Sequence, residues 1–249
     1  MRPIGFSTGA LAYSEFLLGL SLVARHGLRA VELSALRERE VRPLINAIPD
    51  LPLNEYSYIS FHAPSQLVDW SEPDLVQFLT DHLPTAWPII VHPDVIRHPE
   101  SWRALGDRLC LENMDRRKPC GRTAGELRPF FEDLPDATFC LDLAHAHQVD
   151  PTMSVATELL LVYKDRLTQV HCSELDSNSN HGPMSMRTFL AYQRVANLIP
   201  SNCPIIIEAV VDGANIDREV DVTRASLADR ESSTSWLRQH DTHSQPIPA

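Results

Sequence analysis

Eight short apolar segments recur along the chain, and none has the polar alternation of a half-exposed strand. They are Ile4–Ser7, Ala30–Leu33, Tyr58–Phe61, Pro88–Val91, Leu109–Glu112, Thr138–Leu141, Leu167–Val170 and Pro204–Ile207. Continuous apolar runs of this length are typical of strands buried on both faces, as in a parallel sheet. The pattern therefore predicts eight buried strands.

Segments with a helical spacing of apolar residues lie between these runs. The clearest are Glu15–Arg25, Asp74–His82, Ala124–Glu132, Ser154–Lys164 and Met186–Leu198. Apolar residues at i, i+3, i+4 and i+7 give a helix one apolar face. Eight alternations of strand and helix predict an α/β fold, a single (β/α)8 TIM barrel. An open doubly wound sheet is the alternative, but no GxGxxG motif follows the first strand.

The length of the chain fits one such barrel, and no second domain is expected. The chain has 249 residues, and a barrel of this kind typically needs about 250. From residue 229 the composition shifts to Ser, Thr, His, Gln and Pro. We therefore interpret residues 1–228 as the barrel domain and residues 229–249 as a disordered tail.

The charge balance bears on the partners of the protein. The formal net charge is −11, which disfavours non-specific binding to nucleic acid or to an anionic membrane. The five cysteines form no CxxC pair, as expected for reduced thiols. Because no signal pattern or apolar run of about 20 residues is present, the expectation is a soluble cytoplasmic protein that does not bind a membrane.

Acidic or imidazole side chains end seven of the eight predicted strands. They are Glu32, His62, His92, Glu112, Asp142, His171 and Glu208, with His145 three residues after Asp142 and His181 in the loop after strand seven. The carboxyl ends of barrel strands form the active site in such folds. Four carboxylates buried together would repel one another unless cations neutralise them. The sequence thus predicts bound divalent metal ions, and the mixed nitrogen and oxygen ligands favour Zn, Mn, Fe or Co.

The motifs at these strand ends resemble a known family. They are SFHAPS (60–65), IVHPD (90–94), CLENMD (110–115), CLDLAHAH (140–147), VHCSELDS (170–177) and IIIEA (205–209). As a set, they resemble the xylose-isomerase-like barrel superfamily, and within it endonuclease IV, the apurinic-site nuclease. The resemblance covers residues 1 to about 210 in motif order.

The resemblance to endonuclease IV implies a site for three zinc ions with nine ligands, eight of which are present. The implied groups are His62, His92 and Glu112 for the first ion; Glu112, Asp142, His171 and Glu208 for the second; and His145 and His181 for the third. The ninth ligand is an aspartate where this chain has Ser179. Either Asp176 substitutes from the same loop, or the site holds two ions.

The same superfamily contains sugar isomerases and epimerases that use one metal ion. They match Glu112, Asp142, His171 and Glu208, and Glu32 resembles a substrate-contacting glutamate of those enzymes. Such enzymes polarise a carbonyl with the metal and move a proton with carboxylates. The additional imidazoles exceed the needs of one ion, and they therefore favour a site with several ions.

A site with two or three ions suits hydrolysis of a phosphoester. Glu112 is the candidate bridging carboxylate, and Glu112 and Glu208 are the candidate catalytic residues. The loop after strand five could bind phosphate oxygens through four basic residues: Arg116, Arg117, Lys118 and Arg122. The alternative interpretation of this loop is a solvated turn in which Thr123 caps the next helix.

The leading hypothesis is a metal-dependent hydrolase of a phosphoester. Its substrate would be a nucleotide, a sugar phosphate or another small phosphoester, whereas the acidic charge disfavours nucleic acid. A sugar isomerase or epimerase with one ion is the first alternative. An iron-dependent oxidase and a barrel that binds a partner without catalysis are the others, because one fold hosts many chemistries.

Overall fold

Eight parallel strands close into a barrel in the computed structural model, which describes residues 2–228 and 230–240. The strands are β1 Ile4–Ser7, β2 Ala30–Ser34, β3 Tyr58–His62, β4 Ile89–Val91, β5 Leu109–Glu112, β6 Thr138–Asp142, β7 Leu167–Cys172 and β8 Ile205–Ile207. Each strand pairs with its neighbours in chain order, and β1 pairs with β8 to close the barrel. The predicted (β/α)8 fold is confirmed.

Several strands continue past the end of the apolar run that predicts them. Strand β2 runs on to Ser34, β3 to His62, β6 to Asp142 and β7 to Cys172. The register pairs Ser34 with His62 and Asp142 with His171. Polar side chains therefore belong to the strands themselves, and their depth in the barrel follows from the register.

Helices surround the barrel. They are α1 Thr8–Leu11, α2 Phe16–Arg25, α3 Glu38–Ala47, α4 Glu72–His82, α5 Pro99–Trp102, α6 Ala124–Asp133, α7 Leu143–Val149, α8 Ser154–Tyr163, α9 Met186–Tyr192, α10 Ile216–Ser226 and α11 Arg230–His240. All five predicted helices are present, although α9 ends at Tyr192 instead of Leu198. In the described part of the chain, no helix is long and apolar enough to cross a membrane.

The segment after residue 229 differs from the expected disordered tail. Residues 230–240 form helix α11, and Gln193 Nε2 donates a hydrogen bond to Ser233 Oγ at 2.7 Å. Trp236 stacks on Phe189 with ring centroids 5.3 Å apart. Because Ser233 and Trp236 lie three residues apart, both reach the same face of a helix. Residues 241–249 lie outside the described residues.

Beneath the carboxyl ends of the strands, the barrel interior has an apolar side and a polar side. Ile90, Cys110 and Cys140 form a small apolar cluster that is separate from the main core. All five cysteine thiols are free, and four of them are buried. On β2 and β7 the interior positions are polar instead, since Glu32 and Gln169 contact each other there. This polar side leads directly to the predicted ligands.

Candidate metal centre

The Glu112 carboxylate lies at the centre of the residues that end the barrel strands. Its Oε2 atom lies 3.3 Å from His62 Nε2 and 3.2 Å from His92 Nε2. Its Oε1 atom lies 3.1 Å from His171 Nδ1 and 3.4 Å from His145 Nδ1. One carboxylate thus faces four imidazoles, two on each oxygen.

The ligand atoms fall into groups in which every member lies within 4.8 Å of the others. The groups are His62, His92 and Glu112; Glu112, Asp142, His171 and Glu208; Asp142, His145 and His181; and Glu32, His62 and Glu208. The first two groups coincide with the first two ligand sets expected from the sequence. Glu112 belongs to both of them, so that one side chain spans two neighbouring positions for a cation.

Asp142 is held by an arrangement that the sequence analysis does not anticipate. Its Oδ1 atom accepts a hydrogen bond from the backbone N–H of His145 at 2.7 Å and caps helix α7. His145, three residues after Asp142, therefore lies in the first turn of α7. The Asn113 side chain hydrogen-bonds both the backbone N–H and the carbonyl of Asp142. Asp142 and His145 consequently face the cluster from one rigid segment.

His181 reaches the cluster from a small hairpin outside the barrel. The hairpin pairs Glu174–Leu175 with His181–Gly182. The Ser173 hydroxyl lies 2.8 Å from His181 Nδ1, and Glu208 Oε2 lies 3.8 Å from the same nitrogen. The side chain is 25% exposed, so His181 forms the solvent side of the cluster.

The carboxylates differ strongly in their electrostatic environment. Burial opposes ionisation of Glu112, yet the charge and hydrogen bonds of His171, with those of His62 and His92, hold its pKa well below the usual range. Burial, together with the charge of Glu112, raises the pKa of Asp142 to about 6 and that of Glu208 to about 8. His171, His62 and His92 thus stabilise the ionised form of Glu112, whereas Asp142 and Glu208 favour the neutral form more than a free carboxyl group does.

Several buried polar atoms of this cluster have no hydrogen-bond partner among the residues that the structure describes. They are Asp142 Oδ2, Glu32 Oε1 and His92 Nδ1. A buried carboxylate oxygen without a donor is costly, typically by about 1–3 kcal/mol or more for a charged group. A divalent cation would bind the orphaned oxygen of Asp142 and offset the charge of Glu112 and Glu208. The donor set of imidazoles and carboxylates therefore fits the metal ions predicted from the sequence.

A cavity of about 860 Å³ opens above the cluster. The predicted ligands that line it are His62, His92, Glu112, His145, His181 and Glu208. Asp142 and His171 are fully buried below them. Tyr13, Leu36 and Val210 supply the apolar part of the wall. A small molecule could therefore approach the ligands from the solvent side.

The basic loop after β5 is only partly directed at this cavity. Arg117 and Lys118 line the cavity, and Lys118 Nζ lies 2.7 Å from Asp94 Oδ2. Arg122 pairs with Glu126 at 2.6 Å on the first turn of α6, where Thr123 is the helix cap. The structure thus places the Arg122 guanidinium on the capped helix outside the cavity, away from the predicted contact with substrate.

The two arginines that follow Asp115 hold the hairpin that carries His181. Arg117 Nη1 donates to the Asn178 carbonyl at 2.8 Å, and Arg117 Nη2 donates to Asp115 Oδ2 at 2.9 Å. Arg116 Nη2 donates to the Ser177 carbonyl at 2.9 Å. Arg116 does not line the cavity, and its contact with substrate stays a prediction. Both guanidiniums reach backbone carbonyls that no strand pairing satisfies.

Replacing Arg117 with alanine is expected to loosen this hairpin. Without the guanidinium, the carbonyls of Asn178 and Ser179 lose their donor, and His181 is no longer held against the cluster. We expect cleavage within residues 174–182 by a non-specific protease to become at least about tenfold faster, through more frequent local opening. Arg122→Ala removes a basic residue of the same loop without touching the hairpin. Equal cleavage rates in the two variants would contradict this role.

The loop residue Asp176 does not take the place of the ninth ligand. Its carboxylate accepts hydrogen bonds from the backbone N–H groups of Asn178 and Asn180 at 2.7 and 2.8 Å. The side chain is exposed and closes the hairpin turn. Asp176 therefore lies outside the ligand groups found among the described residues. Ser179 is buried instead, with its hydroxyl 2.7 Å from Gln148 Nε2.

A carboxylate at residue 179 is expected to add one metal position. Ser179 has φ +58°, a backbone conformation that aspartate tolerates well. We expect Ser179→Asp to raise the bound metal by one equivalent per chain, because Asp142, His145 and His181 already form a group. Elemental analysis after gel filtration measures this. Ser177→Asp, on the exposed part of the same turn, should leave the metal content unchanged. Equal content in Ser179→Asp and the parent would refute the idea.

Glu32 lies deeper than its predicted role requires. The side chain is fully buried and does not line the cavity. Its Oε2 atom accepts hydrogen bonds from Ser60 Oγ at 3.0 Å and from Gln169 Nε2 at 2.8 Å. The same oxygen lies 3.0 Å from His171 Nε2. Glu32 thus faces the back of a predicted ligand, below the cavity in which the predicted substrate contact would lie.

Three residues that support the cluster are not predicted from the sequence. Asn113 positions Asp142, Gln148 holds Ser179, and Gln169 contacts both Glu32 and His171. For Gln169 a signal exists, because it precedes His171 by two residues and alternate residues of a strand share a face. Asn113 and Gln148 contact residues about thirty positions away in the sequence, and no local residue spacing predicts such contacts.

Comparisons with known proteins identify solved structures of the same fold. No protein-family model and no curated protein sequence matches the chain. Endonuclease IV from Thermus thermophilus is 21% identical, with a TM-score of 0.57 over 91% of this chain and 99% of that one. A xylose isomerase domain protein from Alicyclobacillus acidocaldarius is 16% identical, with a TM-score of 0.55 over 90% of this chain and 99% of that one.

A third similar structure contains a metal ion. The IOLI protein, solved with a zinc atom, is 12% identical, with a TM-score of 0.58 over 96% of this chain and 99% of that one. At these identities the likeness establishes the architecture, whereas activity depends on the site. The chain therefore has the single (β/α)8 barrel fold of endonuclease IV and xylose-isomerase-like proteins, with clustered imidazoles and carboxylates that could hold metal ions at its carboxyl end.

Proposed function

We propose that this protein is a metal-dependent hydrolase of a small phosphoester, with at least two divalent ions bound around Glu112. The observation that carries this proposal is the position of the Glu112 carboxylate. Its two oxygens face separate pairs of imidazoles. Glu112 is also the one side chain shared by the group with His62 and His92 and the group with Asp142, His171 and Glu208. A carboxylate so placed is suited to bridge two ions.

The residues of the two groups would divide the work of binding. His62 and His92 would hold one ion with Glu112, and the other would be held by Asp142, His171 and Glu208 with the same carboxylate. Paired divalent ions supply Lewis-acid activation of both a phosphoryl group and the attacking water. Zinc suits this mixture of nitrogen and oxygen ligands, as do Mn, Fe and Co.

The chain itself supplies the rest of the binding surface. Arg117 and Lys118 place positive charge on the cavity wall, and acidic partners hold each of them in position. Arginine and lysine are suited to phosphate oxygens. The cavity volume lies in the range of small-molecule sites, about 300–1,000 Å³. Both features favour a nucleotide, a sugar phosphate or a similar small phosphoester as the substrate.

Glu208 is the second candidate catalytic residue. It lines the cavity and lies 3.4 Å from His171 Nδ1. Burial, together with the charge of Glu112, raises the pKa of Glu208 to about 8 in the protein without metal. A carboxyl group with such a pKa can hold or release a proton near neutral pH. With metal bound, the cations would favour the ionised form of Glu208, and its carboxylate would then be able to accept a proton from the attacking water.

The decisive experiment combines metal analysis with a substrate screen. Protein purified without added metal should contain about two equivalents of Zn, Mn or Co per chain and should hydrolyse chromogenic phosphomonoesters or phosphodiesters. Glu126→Gln, which alters an acid outside the cavity, serves as the activity control. One equivalent with turnover of a keto sugar would contradict the proposal and favour an isomerase, because Glu112, Asp142, His171 and Glu208 can hold one ion alone. Iron with substrate oxidation would favour an oxidase.

A further inference from the structure

The rear of the His171 ring faces a buried carboxylate. Glu32 Oε2 lies 3.0 Å from His171 Nε2, and neither side chain has exposed surface. Gln169 lies against the same ring nitrogen at 2.7 Å and donates to Glu32 at 2.8 Å. Tyr58 Oη in turn donates to Gln169 Oε1 at 2.6 Å. The ring is therefore enclosed on its rear side by one connected polar network.

The front of the same ring faces the ligands. His171 Nδ1 lies 3.1 Å from Glu112 Oε1 and 3.4 Å from Glu208 Oε2. A neutral imidazole that binds a metal through Nδ1 carries its proton on Nε2. Among the described residues, Glu32 is the only carboxylate within hydrogen-bond distance of that nitrogen. The orientation of His171 toward the ligands thus matches the Glu32 acceptor behind it; with the proton on Nε2, the Gln169 amide nitrogen, itself a donor, makes no hydrogen bond to that ring atom.

The other imidazoles of the centre have weaker support. His62 Nδ1 lies 2.8 Å from the Ala63 carbonyl, and His181 Nδ1 lies 2.8 Å from the Ser173 hydroxyl. His92 Nδ1 has no hydrogen-bond partner within the described part of the chain. A carboxylate behind a ligating imidazole raises its basicity and fixes its tautomer, more strongly than a neutral oxygen does. The two positions that share Glu112 are therefore unequal.

We propose that Glu32 is a positioning residue that fixes His171 with Nδ1 toward the metal centre and makes the position of Asp142, His171 and Glu208 the tighter of the two. This inference rests on the proposed metal centre. It assigns Glu32 a role different from substrate contact, in agreement with its depth below the cavity. Loss of such a partner typically weakens metal binding by about 10–100-fold.

The test compares Glu32→Gln with the parent by competition against a chromophoric zinc chelator. Glutamine keeps the shape of the side chain and removes its charge. We expect one of the two zinc ions to bind about 10–100-fold more weakly, with the affinity of the other changed less than about threefold. The visible spectrum of the cobalt-loaded protein should change in the same variant, since the His171 donor is altered.

Glu72→Gln is the matched control. Glu72 is also a buried glutamate, and it accepts hydrogen bonds from the backbone of Arg97 and His98 and from Trp102 Nε1. It belongs to none of the ligand groups in the described part of the chain. Zinc affinities of the control should equal those of the parent.

The outcomes separate this inference from the proposed function. If the parent binds no metal, the metal centre itself is wrong, and the role of Glu32 falls with it. If the parent binds two ions and Glu32→Gln binds both equally tightly, only the role of Glu32 is refuted. Should Glu32→Gln not fold, Ser60→Ala removes one donor to Glu32 and is expected to weaken the same ion by about threefold. Unchanged affinity in Ser60→Ala would then overturn the inference.

Discussion

Replacing Glu112 with glutamine is expected to lower the metal content from two equivalents to one or fewer and to reduce phosphoester hydrolysis by at least about 10³-fold. The amide has nearly the same shape, yet it removes the negative charge that four imidazoles surround. Loss of one well-placed electrostatic group typically costs about 10²–10³-fold in rate. Because Glu112 serves both ligand groups, its loss disturbs both positions at once and exceeds that range.

The measurement for Glu112→Gln is elemental analysis of the purified variant, with initial rates on the substrate found for the parent. Circular dichroism must show that the variant is folded, because the four imidazoles lose the carboxylate that pairs with them. Glu126→Gln removes a carboxylate that pairs with Arg122 outside the cavity, and it should keep both metal and activity. A Glu112→Gln protein that retains two equivalents would show that Glu112 does not bridge the ions.

The sequence alone carries enough information to predict the barrel and most of the cluster. Strand ends in a closed parallel barrel meet at one face, so polar residues such as His62, Glu112 and His171 must converge once eight strands are recognised. The depth of each residue is a different matter. Glu32 pairs in register with Ser60, whereas His62 pairs with Ser34 two residues farther along the strand. Glu32 therefore lies one layer below the ligands, although the apolar run that predicts β2 ends at the next residue.

The basic loop shows the limit of such predictions in another way. Their position after strand five predicts that Arg116 and Arg117 lie at the carboxyl end of the barrel, and they do follow β5. Their partners are carbonyls of residues 177–179, about sixty positions away in the sequence. These carbonyls need donors because the hairpin leaves its turn unpaired. Which cations bind substrate and which ones hold a loop depends on this folded geometry and not on charge.

The metal-free protein is expected to become less stable as the pH rises from about 6.5 to 9. Burial, with the charge of Glu112, raises the pKa of Glu208 to about 8, above the usual value of about 4.3 for an unfolded chain. Burial lowers the pKa of His62, but its hydrogen bond to Glu112 and the charge of Glu32 raise it to about 9. In this range the folded protein binds more protons than the unfolded chain, so its stability falls as they are lost.

Glu208 and His62 both make the metal-free protein less stable as the pH rises, but they do so over different pH ranges. For Glu208, the neutral buried form is favoured until the pH passes its folded pKa of about 8. The contribution of His62 is fully present below about 6.5, the unfolded pKa, and is lost as the pH rises through about 9. The depressed pKa of Glu112 acts only below the usual glutamate value, outside this range. The metal-free protein should therefore melt at a lower temperature at pH 8.5 than at pH 6.5.

Metal ions are expected to reverse this trend, because binding requires deprotonated carboxylates and neutral imidazoles. At a free zinc concentration about 1,000 times Kd, binding adds about 4 kcal/mol of stability. For a chain of this size, that corresponds to a rise in Tm of about 8–16 °C. Melting curves of chelator-treated protein with and without zinc should show a larger shift at pH 8.5 than at pH 6.5. In Glu112→Gln the shift should shrink at both pH values. An equal shift at both pH values in the parent would mean that zinc does not displace protons from Glu208 and His62. The assignment of these two residues as ligands would then fail.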